Sequence, residues 1–162
     1  MEGITIIPAK ADEFALIWPI FQAVTKTGDT FIYPDDMDYF DAEEIWMKGT
    51  NPYLVCQGEQ VVGTYVIRPN KVGHGSHVCN AGFMLHPDHQ NNGIGRYMGE
   101  HALKQAKELG YLAMQFNVVV STNSRSVALW KSLDFKIVGT IPKGFLHQEK
   151  GLVDLYIMHR FL

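Results

Sequence analysis

The sequence has few cysteines, few charged residues and no long apolar run. Only two of its 162 residues are cysteine, and both Cys56 and Cys79 lie in apolar segments. A disulfide framework needs more cysteines than this, so we expect both thiols to be reduced and buried. Nowhere do about 18 apolar residues follow one another, and the N-terminal segment lacks the basic and apolar regions of a signal peptide. These absences predict a cytoplasmic protein with no disulfide scaffold and no membrane span.

Charge is also scarce and nearly balanced. Fourteen Lys and Arg stand against 17 Asp and Glu, which gives a net charge of -3. Such a surface offers nucleic acid no general electrostatic attraction, so we expect no nucleic-acid partner. The content of 46% hydrophobic and 12% aromatic residues excludes a disordered chain. The length is typical of one globular domain, and we predict a single domain over residues 1–162.

Hydrophobic periodicity and turn residues predict alternating strands and helices. The predicted strands cover 3–7, 53–57, 61–67, 77–85, 113–120, 135–141 and 152–159, and the predicted helices cover 11–24, 41–48, 95–109 and 124–133. We expect Asp41 to begin a capped second helix, Gly110 to end the third, Asn123 to cap the fourth, and residues 142–151 to form a loop. This order predicts a mixed α/β (α+β) domain in which strands pair both as hairpins and across helical crossovers.

The segment with the clearest chemical meaning runs from residue 85 to residue 96. A buried strand stops at Pro87, and the chain then passes through Gly93 and Gly95 into a helix. The first N–H groups of a helix have no intrahelical partner, and the helix dipole places partial positive charge there, so this arrangement predicts a phosphate or pyrophosphate site. No Lys-Ser/Thr pair follows the glycines, which excludes a Walker A loop, and only Gly93-Ile94-Gly95 matches the dinucleotide pattern.

Two sequence motifs, one before the third predicted helix and one at the fourth, resemble those of the GCN5-related N-acetyltransferases (GNAT). Residues 90–95 match Gln-x-x-Gly-x-Gly, and residues 123–135 are similar to the family's Asn-x-x-(Ser/Ala)-x-x-Leu-Tyr-x-x-x-Gly-Phe helix. The resemblance covers nearly the whole chain. It implies a single-domain fold with a mixed, mostly antiparallel sheet flanked by helices, in which the central parallel strands 77–85 and 113–119 splay apart. It also implies acetyl-CoA as cosubstrate, no metal, and direct attack of an amine on the thioester in a ternary complex.

The same resemblance assigns residues to the cofactor. The pyrophosphate would lie on the 90–96 loop and the pantetheine arm beside Leu85, in the manner of an added strand. The residues expected to bind acetyl-CoA on this basis are Met84, Leu85, Gln90, Asn91, Asn92, Gly93, Ile94, Gly95, Arg96, Asn123, Ser126 and Trp130. The Leu85 N–H is the expected donor to the oxyanion, and Leu85, Asn80 and Asn117 form the predicted catalytic set.

The sequence departs from the family pattern at three places. Trp130 stands where the family often has a tyrosine that acts as general acid, and Asp134 stands where a glycine is usual. The strand 77–85 contains no carboxylate, and an amide such as that of Asn80 cannot act as a base. His74 and His77 border this strand and are candidates to accept the amine proton through water.

The acceptor is predicted from the asparagines. Gln115-Phe116-Asn117-Val118-Val119, with Asn80 before it and Asn123 after it, is similar to the subgroup that acetylates small amino-acid-like molecules, including toxic imino acids. We predict that Asn80, Tyr33 and Phe145 bind this acceptor, with His147 beside Phe145 on the second wall. The alternatives are that the amides are satisfied core groups, that the acceptor is a protein N-terminus or a lysine, or that the chain is a catalytically weakened CoA-binding regulatory module. The resemblance is also compatible with a homodimer.

Overall fold

Within residues 1 and 3–162, which the computed structural model describes, the chain forms seven strands and four α-helices. The strands are β1 (Ile4–Pro8), β2 (Asn51–Gln57), β3 (Gln60–Pro69), β4 (Val78–Leu85), β5 (Ala113–Val120), β6 (Lys136–His147) and β7 (Gly151–Phe161). The helices are α1 (Phe14–Thr25), α2 (Tyr39–Met47), α3 (Ile94–Glu108) and α4 (Ser124–Ser132). In this part of the chain, no helix is both long and apolar enough to cross a membrane.

All strands belong to one sheet with the order β1-β2-β3-β4-β5-β7-β6. Every neighbouring pair is antiparallel except β4 and β5, which are parallel. These two strands pair only through Val78 with Ala113 and Cys79 with Met114, and they separate beyond that point. The predicted fold class is therefore confirmed: a mixed, mostly antiparallel sheet with a splayed parallel pair at its centre.

The helices cover the two faces of the sheet. On one face α3 buries Ile94, Met98, Ala102 and Ala106, which recur every four residues as an amphipathic helix requires. On the other face α1 buries Phe14, Ile17, Ile20, Phe21 and Val24, and α2 adds Trp46. Side chains of β4 alternate between these two layers, so the strand that begins the splay is fixed from both sides.

The start of α2 differs from the sequence prediction. The helix begins at Tyr39, and its N-cap is Asp38 rather than Asp41. Asp38 has the extended backbone of a cap residue, and its carboxylate accepts the N–H of Asp41 at 2.9 Å. Asp41 therefore supplies a donor in the first turn and cannot also be the cap. Asp134, at the position where the family usually has a glycine, has the left-handed backbone that glycine favours, with φ 63°. Gly110, which was expected to end α3, follows the helix with φ 87°.

The predicted loop at 142–151 is wrong. Strand β6 continues to His147, so only residues 148–150 connect it to β7. The turn residues of this segment form a bulge instead: Ile141 pairs with Leu155 and Phe145 with Val153, with three residues of β6 opposite one of β7. Lys143 has φ 52° in this bulge, and its N–H donates to Asp154 Oδ1 at 2.9 Å. Phe145 and His147 consequently lie on a strand. A smaller correction concerns Cys56, which is half-buried, whereas Cys79 is buried as expected.

Candidate functional site

The loop between β4 and α3 has the geometry of an anion site. Gly93 is the N-cap of α3 in the left-handed region, with φ 78° and ψ -5°, and Asn91 before it has φ 70°. Tyr97 N–H donates to the Gly93 carbonyl at 3.2 Å as the α3 ladder begins. The N–H groups of Ile94, Gly95 and Arg96 precede that bond, so they are available to a ligand at the positive end of the helix dipole.

Arg125, which the sequence prediction missed, brings positive charge to this loop. Its Nη1 donates to Gln90 Oε1 at 2.9 Å, from the first turn of α4. The two helices pack in the same direction, since Gly95 lies against Leu129 and Gly99 against Leu133. The N-termini of α3 and α4 therefore lie at the same end of the helix pair. The sequence alone does not show this arrangement.

The guanidinium of Arg96 is occupied elsewhere. Its Nε bonds Glu100 Oε1 at 2.8 Å, and its Nη1 donates to Ser132 Oγ at 3.0 Å. Both partners lie further along α3 and α4 than the loop does. For an anion on the 90–96 loop, the side chain of Arg125 is therefore better placed than that of Arg96.

The backbone of Leu85 faces the gap between the splayed strands. His86 N–H donates to the Val62 carbonyl at 2.9 Å, which makes that pair the hydrogen-bonded one of the β3–β4 ladder. In an antiparallel ladder the next residue directs its N–H and C=O the opposite way, so both groups of Leu85 point toward β5, which is no longer paired there. Met84 offers neither group to the gap, because its backbone faces β3 and its side chain is buried against α1 and α2.

The turn between β5 and α4 supplies two further polar groups. Asn123 is the N-cap of α4 as predicted, and its Oδ1 accepts the N–H of Ser126 at 3.1 Å. Its Nδ2 is not used in that cap. Next to it, Thr122 Oγ1 is a buried hydroxyl without a hydrogen-bond partner in the described chain. Buried polar groups are normally satisfied, so this orphan hydroxyl, the Leu85 groups and the α3 N-terminus together fit a ligand such as CoA.

Trp130 fills the splay on the α3 and α4 face. It is 7% exposed, and its ring centroid lies 4.9 Å from that of Phe83 on β4 and 4.6 Å from that of Phe116 on β5. An indole only donates a hydrogen bond and is no acid near neutral pH. In this chain the residue at this position packs against an aromatic side chain of each splayed strand.

A chain of amides lies on the opposite face of the splay. Asn80 Nδ2 donates to the Gln115 carbonyl at 3.0 Å, Gln115 Nε2 to Asn117 Oδ1 at 2.9 Å, and Asn117 Nδ2 to Asn70 Oδ1 at 2.7 Å. Asn80 thus caps the first β5 carbonyl beyond the paired residues. The structure links the predicted residues Asn80 and Asn117 through Gln115, and neither Gln115 nor Asn70 was among the predicted site residues. The signal for Gln115 was its position two residues before Asn117, on the same face of a strand.

The remaining predicted acceptor residues are spread over two neighbouring segments. The Tyr33 ring stacks on Phe21 at 5.5 Å and on Phe31 at 5.7 Å, so it packs on α1. Phe145 is buried on β6. The segments that carry Tyr33 and Phe145 meet where Gln148 N–H donates to the Gly28 carbonyl at 3.2 Å.

His74 and His77 are both exposed, and they lie where β4 begins, whereas the cofactor loop follows its end. His77 Nδ1 lies 3.1 Å from the His74 carbonyl. Within the described residues, His, Cys, Asp and Glu side chains form no group of three or more that could hold a metal ion.

Comparisons with known proteins agree with this geometry. Residues 16–135 match the model of the acetyltransferase (GNAT) family. A solved GCN5-related N-acetyltransferase from Kribbella flavida is 32% identical, with a TM-score of 0.93 and 99% of each chain covered. A phosphinothricin acetyltransferase from Sinorhizobium meliloti, solved in complex with acetyl-CoA, shares the fold at 17% identity, with a TM-score of 0.84 over 99% of this chain and 89% of that one.

Curated relatives are similar over part of the chain. The N-acetyltransferase aca1 of Schizosaccharomyces pombe is 40% identical over 98 residues, which are 60% of this chain and 47% of that protein. The chain thus spans less than half the length of that relative. The match over 16–135, together with the full-length likeness to the Kribbella flavida enzyme, shows that this chain belongs to the GNAT family of acetyltransferases.

Proposed function

We propose that the protein is an acetyl-CoA-dependent N-acetyltransferase whose acceptor is the amine of a small, amino-acid-like molecule. The observation that carries this proposal is the splayed gap between β4 and β5. Unpaired backbone N–H groups of Leu85 and of the α3 N-terminus lie at one end of this gap, and neutral amide side chains lie on one of its faces. CoA would place its pyrophosphate on the α3 N-terminus and its pantetheine arm beside Leu85. The thioester would then lie between the amide chain and Trp130.

The amide chain suits an acceptor that carries a carboxylate. Asparagine and glutamine amides can hold a carboxylate by hydrogen bonds, yet they do not stabilise an ammonium as Asp or Glu would. An amine with a pKa of ~9–10 is mostly protonated at pH 7, so neutral amides rather than carboxylates beside it favour the reactive neutral form. The name of the Sinorhizobium relative, a phosphinothricin acetyltransferase, also indicates a small acceptor, and its likeness to this chain extends only to the fold.

The reaction would proceed by direct attack. The neutral amine attacks the thioester carbon, the Leu85 N–H stabilises the oxyanion, and the carbon–sulfur bond then breaks. A thiol with a pKa of ~8.5 leaves as a thiolate without a dedicated acid, and the amine proton passes to water. A covalent cysteine intermediate is disfavoured, because burial raises the pKa of Cys79 to about 12 and also raises the pKa of Cys56.

The test is acetyl transfer to matched acceptors. Wild-type protein and acetyl-CoA are incubated with amino acids, with their descarboxy analogues and with peptides that offer an N-terminus or a lysine, and the acetylated products are identified by mass spectrometry. We expect the amino acids to be acetylated and their descarboxy analogues to react poorly. Faster acetylation of the peptides would favour the protein acetyltransferase instead.

A variant at Asn80 connects the amide chain to the acceptor. Asn80→Ala removes the donor to the Gln115 carbonyl, so it should lower stability and also raise the KM for the amino acid far more than the KM for acetyl-CoA. A loss of about 1–3 kcal/mol of transition-state stabilisation is expected. Unfolding alone, with an unchanged KM in the folded fraction, would make Asn80 a purely structural group.

The second candidate function is a CoA-binding regulatory module. The presence of Trp130 at the tyrosine position favours it, as does a β4 strand without a carboxylate. Binding of CoA without thiol release from acetyl-CoA for any amine would establish this alternative. The single domain, the cytoplasmic location and the homodimer remain predictions from the sequence.

A further inference from the structure

The turn between β5 and α4 contains a hydroxyl that makes no hydrogen bond. Thr122 Oγ1 is shielded from solvent, and it has no partner in the part of the chain that the structure describes. A hydroxyl can donate one hydrogen bond and accept two. A buried polar group that stays unsatisfied costs free energy, and such groups are rare in native proteins. A ligand that supplies the missing partner would explain this one.

The polar groups beside Thr122 are already paired with other groups. Ser121 N–H donates to the Asp154 carbonyl at 3.0 Å. Asn123 N–H donates to the Val120 carbonyl at 2.9 Å, and its side-chain oxygen accepts an N–H of the first turn of α4. These bonds fix the backbone on both sides of Thr122, and none of them includes its hydroxyl. The partner of this hydroxyl therefore has to come from outside the turn.

Thr122 lies at the open end of the splay, on the side opposite Leu85. Strand β4 ends at Leu85 and β5 ends at Val120, and Thr122 follows in the turn after β5. Cys79 and Met114 form the last pair between the two strands, and each strand continues beyond that pair for the same number of residues. The two strand ends therefore lie at about the same level, and a ligand in the gap there has Leu85 on one side and the β5–α4 turn on the other.

The pantetheine arm of CoA can make hydrogen bonds on both sides of this gap. The arm contains secondary amides, and a planar trans amide directs its N–H and its C=O to opposite edges. The carbonyl of Leu85 faces the gap and can accept one of these N–H groups, in the manner of an added strand. The carbonyl of the same pantetheine amide then points away from Leu85, toward the β5–α4 turn and its unpaired hydroxyl.

We propose that the Thr122 hydroxyl donates a hydrogen bond to an amide carbonyl of the pantetheine arm, on the edge opposite Leu85. This inference rests on the proposed function and adds to it a cofactor-binding residue that the sequence motifs did not include. In the free protein the hydroxyl is buried and unsatisfied, so it lowers the stability of the fold. In the CoA complex the bond is made, so the same hydroxyl raises the affinity for CoA.

The matched variants are Thr122→Val, which removes the hydroxyl with little change of shape, and Thr122→Ser, which keeps it. Denaturant unfolding without CoA measures stability, and calorimetric titration measures the binding of CoA and of adenosine 3′,5′-bisphosphate, which lacks the arm. We expect Thr122→Val to unfold at a higher denaturant concentration than the wild type and to bind CoA about tenfold more weakly, or ~1.4 kcal/mol. Its affinity for the bisphosphate should stay within about twofold, and Thr122→Ser should keep its CoA affinity within about threefold.

The outcomes separate this inference from the proposed function. If the wild-type protein does not bind CoA, the proposed function fails, and Thr122 has no arm to bind. If the wild type binds CoA and folded Thr122→Val binds it as tightly, only the role of Thr122 is overturned. An equal loss of affinity for CoA and for the bisphosphate would also overturn it, because the effect would then not concern the arm. Thr122→Ala, which lacks the hydroxyl and cannot crowd the turn, repeats the comparison if the valine variant does not fold.

Discussion

Replacement of Gly93 by alanine tests the proposed site of the CoA pyrophosphate. Gly93 has φ 78° at the start of α3, and a Cβ there would lie 3.0 Å from Met1 Cε, the flexible end of a side chain. The main penalty is therefore conformational, roughly 1–2 kcal/mol for an L-residue in the left-handed region. If the backbone rotates to relieve it, the N–H groups of Ile94 and Gly95 turn away from the ligand. We expect Gly93→Ala to lower both stability and CoA affinity, the latter at least about tenfold, or ~1.4 kcal/mol.

Gly95→Ala, two residues away, is the matched control. Gly95 lies inside α3, has no positive φ, and its Cβ would meet Leu129 Cδ2 at 3.6 Å, an ordinary contact. Alanine is preferred over glycine in a helix by roughly 0.5–1 kcal/mol, so this variant should be more stable than the wild type. Its CoA affinity should stay within about threefold, since the backbone N–H groups keep their directions.

Calorimetric titration with CoA measures the affinity, and denaturant unfolding without CoA measures the stability. The two variants should move in opposite directions in stability, and only Gly93→Ala should lose affinity. If folded Gly93→Ala bound CoA as tightly as the wild type, the pyrophosphate would not lie on the 90–96 loop, and the placement of the whole cofactor would be wrong.

Three further predictions follow from the core and from the chemistry. Gly99→Val should lower the free energy of unfolding by about 1–3 kcal/mol in a denaturant titration. Even a Cβ at this position would lie 2.7 Å from Leu133 Cδ1 and 3.1 Å from Trp130 Cζ3. If the variant were as stable as the wild type, α3 and α4 could separate without cost. Burial, and then the charge of Lys104, lowers the pKa of His101, whose Nδ1 lies 2.6 Å from the Tyr65 hydroxyl. The unfolded chain therefore binds a proton at His101 more readily than the folded chain does. The stability linked to neutral His101 is present above about pH 6.5 and is lost as the pH falls. His101→Gln should make the unfolding free energy depend less steeply on pH between about pH 5 and pH 7, and an unchanged slope would assign this pH dependence to other groups. Finally, the rate at subsaturating amine should rise with pH toward the pKa of the amine used, and a bell-shaped profile with the same pKa values for every amine would reveal an acid–base pair within the protein.

Local signals in the sequence were sufficient for the order of the elements and for the glycine turn that enters α3. The glycines at 93 and 95 mark a turn that enters a helix, and Asn123 caps α4 as its position predicted, because caps and turns depend on a few neighbouring residues. The splay of β4 and β5 came from the family resemblance, and the pairing that ends at Cys79 and Met114 agrees with it. Local signals failed where a distant partner decides the outcome. The turn residues 142–144 predicted a loop, but pairing with β7 and the side chain of Asp154 turn them into a bulge within a strand.

Only the tertiary structure decided which polar groups meet. Arg125 reaches Gln90 because α3 and α4 pack in parallel, over 35 positions of the chain. Asn117 of β5 meets Asn70, which follows β3, across the intervening strand β4, over 47 positions of the chain. His147 Nδ1 accepts the N–H groups of Glu149 and Lys150 in the turn that follows it, and the rest of the fold buries its side chain. Periodicity and propensity describe how each segment buries its own apolar face, whereas a hydrogen-bonded site depends on the relative placement of segments, which the packing of the whole chain determines.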